Sequence, residues 1–285
     1  YFGVFFLVLN STETHLKNYF HIMEDNCKNC ETLITGNFCS NCGQKKYKRI
    51  DRKYLIDELQ YTVLHTNKGF FYSVKKILRN PGKTAKEFIE GSRVNHYKPI
   101  LLTFLLSGIS TFISFKFLDT TRIMKEYYAS LKMPETTSNN LMTFLSSYNS
   151  LIMLISIPVI SIITYLLFRK WKTNYYEHII MNAYIQCFYS LFNILFLYPI
   201  LFFLKDGNLG LFMTVTMVSI LSIPVIMVWF YKDFFPERSI GDVIVKVVFF
   251  VIIGLFLYIG IVISFIAWTI LTEGIDGLKK LAPVK

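Results

Sequence analysis

Five stretches of this chain carry no Asp, Glu, Lys or Arg: 100–115, 136–168, 179–204, 207–231 and 247–272. A helix that crosses a hydrocarbon core of about 30 Å needs about 20 apolar residues, each rising about 1.5 Å. Four stretches reach that length as they stand. The first reaches it by running through Lys116, whose aliphatic stem lets the ammonium snorkel to the far interface. The competing arrangement, five buried helices of a soluble protein, fails for lack of polar cover. Only 17% of the residues are charged, against about 25% in soluble domains, and a domain of this size has no shell left to wrap five such helices. The expected fold is therefore all-α, a polytopic membrane helix bundle with spans at about 100–118, 149–168, 179–204, 208–231 and 246–271.

The basic residues orient the bundle. Residues 1–99 hold 16 Lys/Arg against 9 Asp/Glu, whereas residues 100–285 hold 14 against 10. Segments rich in Lys and Arg stay cytoplasmic, so the N-terminal region is expected inside. The segments 169–178 (Arg169, Lys170, Lys172) and 232–246 (Lys232, Arg238, Lys246) then also face the cytoplasm. Two features fit this less well: three basic residues in the outer loop 119–135, and Lys279, Lys280 and Lys285 in the outer tail. Residue 1 is Tyr, and the apolar run 1–9 lacks the basic flank and cleavage site of a signal peptide. Translation is expected to begin at Met23, with 1–22 an upstream artefact.

The strongest chemical signal follows at once. Cys27-Lys-Asn-Cys30 is separated by eight residues from Cys39-Ser-Asn-Cys42-Gly43-Gln44. Two C-x-x-C turns can aim four thiolates at one ion with Zn–S bonds of about 2.3 Å. Gly43 supplies the open backbone geometry that such a knuckle needs. A unit of this size has no core of its own, so metal binding would supply its folding energy. Stable disulfides are disfavoured in the cytoplasm, and a redox C-x-x-C would need only one pair on a thioredoxin-like scaffold. Iron also accepts four thiolates. The expected cofactor is structural Zn2+ in a ribbon over 23–46, with Cys27, Cys30, Cys39 and Cys42 as ligands. Four protein ligands leave no open position for catalysis.

Residues 47–99 are expected to form a basic amphipathic helical region between the ribbon and the bundle at 100–285. Six basic residues in 45–53 suit the anionic headgroups of an inner leaflet. Nucleic acid is disfavoured, because only Tyr47 offers a stacking ring there. Leu55, Ile56, Leu59 and Val63 form one helical stripe. Phe70, Val74, Ile77 and Leu78 form a second, opposite Lys75, Lys76 and Arg79. Such helices lie in the membrane interface or pack on the bundle. Pro81-Gly82 breaks the chain, Thr84-x-x-Glu87 has the form of a capping box, and Gly91 that of a helix stop. Arg93, His96, Tyr97 and Lys98 precede Pro99 as membrane-interface anchors.

Inside the bundle the sequence offers polar stripes but no mid-span ionisable group. Asn182, Gln186, Ser190 and Asn193 share one helix face, and Thr103, Ser107, Ser110 and Ser114 share another. Such faces avoid lipid, so they either pack helices together or line a pocket. Proton-coupled carriers and intramembrane enzymes normally place ionisable residues at membrane depth. The sequence SIPVI occurs at 156–160 and again at 222–226, which would fit a helix-pair repeat.

From Cys27 onward the chain resembles a bacterial family of uncharacterised membrane proteins, domain of unknown function 3667. The resemblance is carried by C-x-x-C…F-C-x-x-C-G-Q from Cys27 to Gln44. It continues through Gly69-Phe70-Phe71, Asn80-Pro81-Gly82, Glu90-Gly91, Arg93, Tyr97, Pro99 and the pair Glu177-His178. Ribbons occur in many unrelated proteins, and their order with R-x-x-x-Y-x-P before the first span is the more specific sign. The resemblance implies a bacterial cytoplasmic (inner) membrane protein and no particular activity. The expected role is a non-enzymatic interaction or scaffold protein with a cytoplasmic protein partner. The alternatives are a permease for a neutral or lipid-like substrate, and an interfacial enzyme using Glu177, His178 and His96.

Overall fold

The computed structural model describes residues 26–47, 49–54, 69–131 and 135–281. The expected start at Met23, the stripe Leu55–Val63, Lys48 and Lys285 lie outside the described residues. Among the described residues the fold is an all-α polytopic bundle, with only two isolated β-bridges outside the helices. Helices α1 (Phe70–Arg79) and α2 (Pro81–Ile89) precede α3 (Pro99–Phe112), α4 (Thr120–Ser130) and α5 (Glu135–Phe168). Then follow α6 (Tyr175–Phe192), α7 (Tyr198–Leu204), α8 (Leu209–Ile220), α9 (Ser222–Phe234) and α10 (Ile240–Leu281).

Five helical stretches are long and apolar enough to cross a membrane: Pro99–Phe117, Ser147–Trp171, Tyr175–Leu204, Leu209–Phe234 and Ile240–Leu271. The first and third spans each pass through a π-helical turn, at Ile113–Phe117 and Asn193–Leu197. The fourth is broken by a turn at Leu221, so Pro224 sits in the first turn of α9, where its missing N–H costs nothing. In the second span Pro158 lies deep inside α5. The two SIPVI segments therefore occupy different structural positions.

The polar faces join helices. Thr103 Oγ1 donates to the carbonyl of Ala183 (3.1 Å) on α6, as well as to that of Pro99 in its own turn. Asn182 Nδ2 reaches Ser161 Oγ (3.0 Å) and Thr164 Oγ1 (2.9 Å) on α5. Nearer the far end, Ser110 Oγ meets the Tyr198 hydroxyl at 2.7 Å. Lipid offers these groups nothing to bond, so pairing between helices both satisfies them and sets helix register. Gln186 is half-buried on the same face.

At the far end, Leu118, Ile123, Leu197, Leu201, Phe212 and Met213 form a separate apolar cluster. Arg122 closes it by pairing with Asp119, Glu126 and Asp206, the last at 2.8 Å.

At the opposite end α1 and α2 lie on the bundle. Ile77 and Ser73 are buried, and Phe70, Val74 and Leu78 pack on the main core, so the second stripe faces protein. Phe71 points away and is 84% exposed. Thr84 does not cap a helix. The helix begins earlier, with Pro81 at its first position and the Asn80 side chain accepting from Lys83 N–H. Thr84 instead sits within the helix and bonds back to Asn80 O (2.6 Å) and Lys76 O (3.1 Å). Gly91, at φ 115°, ends α2 in a Schellman turn: Ser92 N–H bonds Glu87 O, and Gly91 N–H bonds Phe88 O.

Gly82 brings α2 against α9. A Cβ there would come within 2.3 Å of the Phe230 carbonyl oxygen, which is fixed backbone. Gly82→Ala is expected to force the two helices apart and destabilise the bundle by about 1–3 kcal/mol. Thermal unfolding in detergent, followed by circular dichroism, checks this; an unchanged midpoint refutes the close packing.

Candidate metal centre

Two copies of one local design bring the four cysteines together. In the first knuckle Cys27 N–H bonds Thr32 O (2.9 Å), and Glu31 N–H bonds Cys27 O (2.8 Å). In the second, Cys39 N–H bonds Gln44 O (2.7 Å), and Gly43 N–H bonds Cys39 O (2.9 Å). The residue after each second cysteine is left-handed, Glu31 at φ 61° and Gly43 at φ 73°. The bridges Asn26↔Leu33 and Phe38↔Lys45 stand at the same offsets from Cys27 and Cys39. Gly43 was legible as a conformational requirement; Glu31 was not, because a glutamate gives no sign of positive φ.

The four sulfurs lie within 4.8 Å of one another. Cys27–Cys42 and Cys30–Cys39 are 3.5 Å apart, and Cys30–Cys42 is 3.4 Å. These are free thiols far beyond disulfide bonding distance. They lie near the edge of about 3.8 Å of a tetrahedron built on 2.3 Å metal–sulfur bonds. Burial pushes the Cys27 thiol up to about 11, while the Thr32 hydroxyl and N–H hold Cys30 down to about 6. Four thiolates so close cannot all ionise unaided, and a bound cation would supply the compensating charge. The donor set can hold a metal ion, and all of its positions are filled by protein.

The centre is seated on the bundle by a residue that sequence reasoning used only as a family sign. Gln44 is buried and its amide spans the turn after α2. Nε2 donates to Gly91 O, and Oε1 accepts from Arg93 N–H (3.2 Å) and Val94 N–H (3.4 Å). Asn29 Oδ1 accepts from Ser92 Oγ and Asn95 Nδ2, both at 3.3 Å. The Tyr47 ring lies so close to Gly91 that a Cβ there would sit 2.4 Å from it.

Arg93 fills the angle between these parts. Its Nε and Nη2 donate to the last carbonyls of α2, Phe88 (3.1 Å) and Ile89 (3.4 Å). Its guanidinium stands 4.4 Å from the Tyr54 ring centre, 5.5 Å from Tyr47 and 5.6 Å from Phe88. Tyr97 is buried, and its N–H bonds Ser73 Oγ at 2.7 Å. Lys98 is the residue before the first span, with Nζ shielded from solvent. His96 is buried between Tyr72 and Phe88, at ring distances of 5.3 and 6.0 Å.

Glu177 and His178 are brought near the seat, yet each is already engaged. Glu177 is 7% exposed and takes Arg49 Nε on Oε1 (3.1 Å) and Asn174 N–H on Oε2 (2.9 Å). Asn174 returns the cap through Glu177 N–H, which makes a complete capping box, and its Nδ2 reaches Ile50 O (3.0 Å). The Glu177 contact raises Arg49 further above its ordinary value. His178 is fully buried, with Nε2 2.9 Å from Thr173 Oγ1. Asn182 shares this inner region, whereas Ser190 and Asn193 lie deeper, buried, with Ser190 Oγ and Asn193 Oδ1 lacking partners among the described residues.

A family model described as a protein of unknown function (DUF3667) matches residues 67–111. That stretch takes in α1, α2 and the turn after it, ends within the first span, and begins after the cysteines. No curated protein and no solved structure matches the chain.

Two outcomes follow from the seat. Gln44→Glu keeps size but loses the donor to Gly91 O, leaving lone pairs face to face; it is expected to cost about 1–3 kcal/mol. Hydrogen exchange at 91–97 would then accelerate, and unchanged protection refutes the clasp. Burial lowers His96 to about 4, with Glu87 and Lys76 acting in opposite directions. The unfolded chain therefore binds the proton first, and the neutral ring's contribution is lost as pH falls from about 6.5 toward 4. Between pH 7 and 4.5 wild type should lose up to about 3 kcal/mol more stability than His96→Phe; parallel melting curves refute this.

Proposed function

We propose that this chain is a non-enzymatic docking protein of a bacterial cytoplasmic membrane, whose structural zinc ribbon faces the cytoplasm and presents a surface to a soluble protein partner. The observation that carries this reading is the closed four-cysteine centre held on the bundle by Gln44, with Leu33 (53% exposed) and Phe38 (59%) facing outward from it. A closed thiolate set organises a surface and leaves no ligand position for a reaction. Glu177 and His178 are committed to a helix cap and a buried hydrogen bond, which favours a structural role for both.

The division into a ribbon over 23–46, a basic region over 47–99 and a bundle over 100–285 belongs to this reading. So do the anchoring roles of Arg93, His96, Tyr97 and Lys98. The basic balance of residues 1–99 supports a cytoplasmic N-terminus and contact with anionic lipid headgroups, and it makes nucleic acid the weaker partner.

A second reading, a permease for a lipid-like substrate, draws on an apolar cavity of about 350 Å³ between the third and fourth spans. Phe192, Phe196, Leu197, Ile200, Val215 and Val218 line it. The hydroxyls at its wall, Thr214, Ser219 and Ser222, bond backbone carbonyls of their own span, and Asn182, Gln186, Ser190 and Asn193 are not in its lining. That arrangement favours the packing role for the polar face. Gln186→Leu with Asn193→Leu should leave a permease folded but without flux, and a docking protein unaffected.

Crosslinking in native membranes tests the main reading. Wild type should carry about one zinc per chain and capture a partner that Leu33→Asp/Phe38→Asp loses, at equal zinc content and membrane level. Equal capture by both proteins removes the ribbon surface from the function.

A further inference from the structure

Two cations from different parts of the chain converge on one indole at the ribbon end of the bundle, and a third, Lys170, directly precedes that indole in the chain. Trp171 ends the short turn Arg169–Trp171 that follows α5. Its ring packs edge-on against Phe168 (5.0 Å) and Phe235 (4.9 Å), and Phe168 in turn stacks on Tyr231 at 4.1 Å. Over the Trp171 ring stand Lys246 Nζ (5.1 Å) from α10 and Arg238 Cζ (5.3 Å) from the loop before it. Lys170, the neighbour of Trp171, lies within electrostatic reach of Lys246.

These cations are poorly matched by acids. Lys246 donates to the Leu167 carbonyl at the end of α5 and forms no ion pair among the described residues. An ammonium carries three donors, so that bond leaves others to be used. Arg238 Nε is shielded from solvent and has no hydrogen-bond partner among the described residues, and its ion pair with the neighbouring Glu237 is long, at 3.8 Å. Lys170 is exposed and makes no hydrogen bond or ion pair among the described residues. Asp242, one helical turn before Lys246, is exposed and lies within electrostatic reach but outside ion-pair distance. A guanidinium N–H shielded from solvent, with its nearest paired acid 3.8 Å away, calls for a closer acceptor. The chemistry that answers a guanidinium fork and two ammoniums together is a phosphate oxyanion.

Position selects the source of that phosphate. The cluster sits where the second span ends and the fifth begins, beside Trp171, and interfacial indoles lie at headgroup depth. Basic pockets between transmembrane helices hold anionic headgroups in this way. We propose that Lys170, Trp171, Arg238 and Lys246 form a binding site for the phosphate of an anionic phospholipid. The site is separate from the basic stretch 45–53 and does not depend on the partner-docking reading.

Native mass spectrometry of the full chain tests the site, with protein released from nanodiscs of phosphatidylcholine containing phosphatidylglycerol. Wild type should retain phosphatidylglycerol selectively. Lys170→Gln/Arg238→Gln, which spares the Lys246 bond to α5, should retain it about tenfold less or lower still, given the weight of two basic residues at an anionic surface. Lys83→Gln/Lys86→Gln removes the same charge from α2 and should change retention little. Equal losses in the two variants would mean diffuse attraction and overturn the site, as would full retention in the first. Inorganic phosphate, added to wild type in pure phosphatidylcholine, separates the sources. If it raises the unfolding temperature of wild type alone while phosphatidylglycerol shows no selectivity, the site takes soluble phosphate and the lipid assignment is wrong. Lys246→Arg, retaining both the charge and a donor for Leu167 O, should keep selectivity; its loss there with normal folding also counts against the site.

Discussion

A single guanidinium occupies the joint between the cysteine knuckles and the membrane helices. Arg93 bonds the open carbonyls at the end of α2 and lies among Tyr47, Tyr54 and Phe88, so one side chain contacts three segments that otherwise have little reason to meet. Arginine suits the position because its fork satisfies several carbonyls while its flat face stacks on rings. Lysine would keep the charge but lose both the geometry and the stacking. Around this joint Gln44, Gly91 and the Arg49–Glu177 pair complete a continuous surface from the metal centre to the start of the third span.

Within the spans the governing constraint is different. Hydrocarbon cannot hydrogen-bond, so polar side chains there are costly unless paired inside the protein. Thr103, Ser110 and Asn182 pair across helices, and Thr111 takes Asn149 Nδ2 at 2.7 Å. These contacts tie the first, second and third spans together. Thr103, Ser110, Thr111 and Asn182 thus use their polarity to join helices, and the cavity between the third and fourth spans is apolar.

The span count and the cysteine cluster were legible in the sequence because each rests on a local physical rule. Uninterrupted apolar length sets the spans, and cysteine spacing sets the cluster. The capping motif misled, since Thr84-x-x-Glu87 satisfies the pattern while Asn80 and Pro81 start the helix first. A one-dimensional pattern does not show which of two adjacent caps wins. The seat was illegible for a deeper reason. The contact between Gln44 and residues 91–94, and that between Arg49 and Glu177, join positions far apart in the chain, and no periodicity encodes them. Gly82 and Gly91 were visible as chain punctuation, but not as the points where α9 and Tyr47 come close.

Helix α10 is packed chiefly at its foot, with Thr269 the one buried position among its described residues beyond Val247. Val243 and Val247 are buried, whereas the described residues from Leu255 to Trp268 are exposed to whatever surrounds the bundle. Its 42 residues extend about 63 Å, roughly twice the hydrocarbon thickness. A helix held chiefly at one end presents most of its described length to the surrounding lipid, whereas the four other spans are held by mutual contacts. Tilt of this sparsely packed helix is therefore the least costly way for the bundle to meet a bilayer of different thickness.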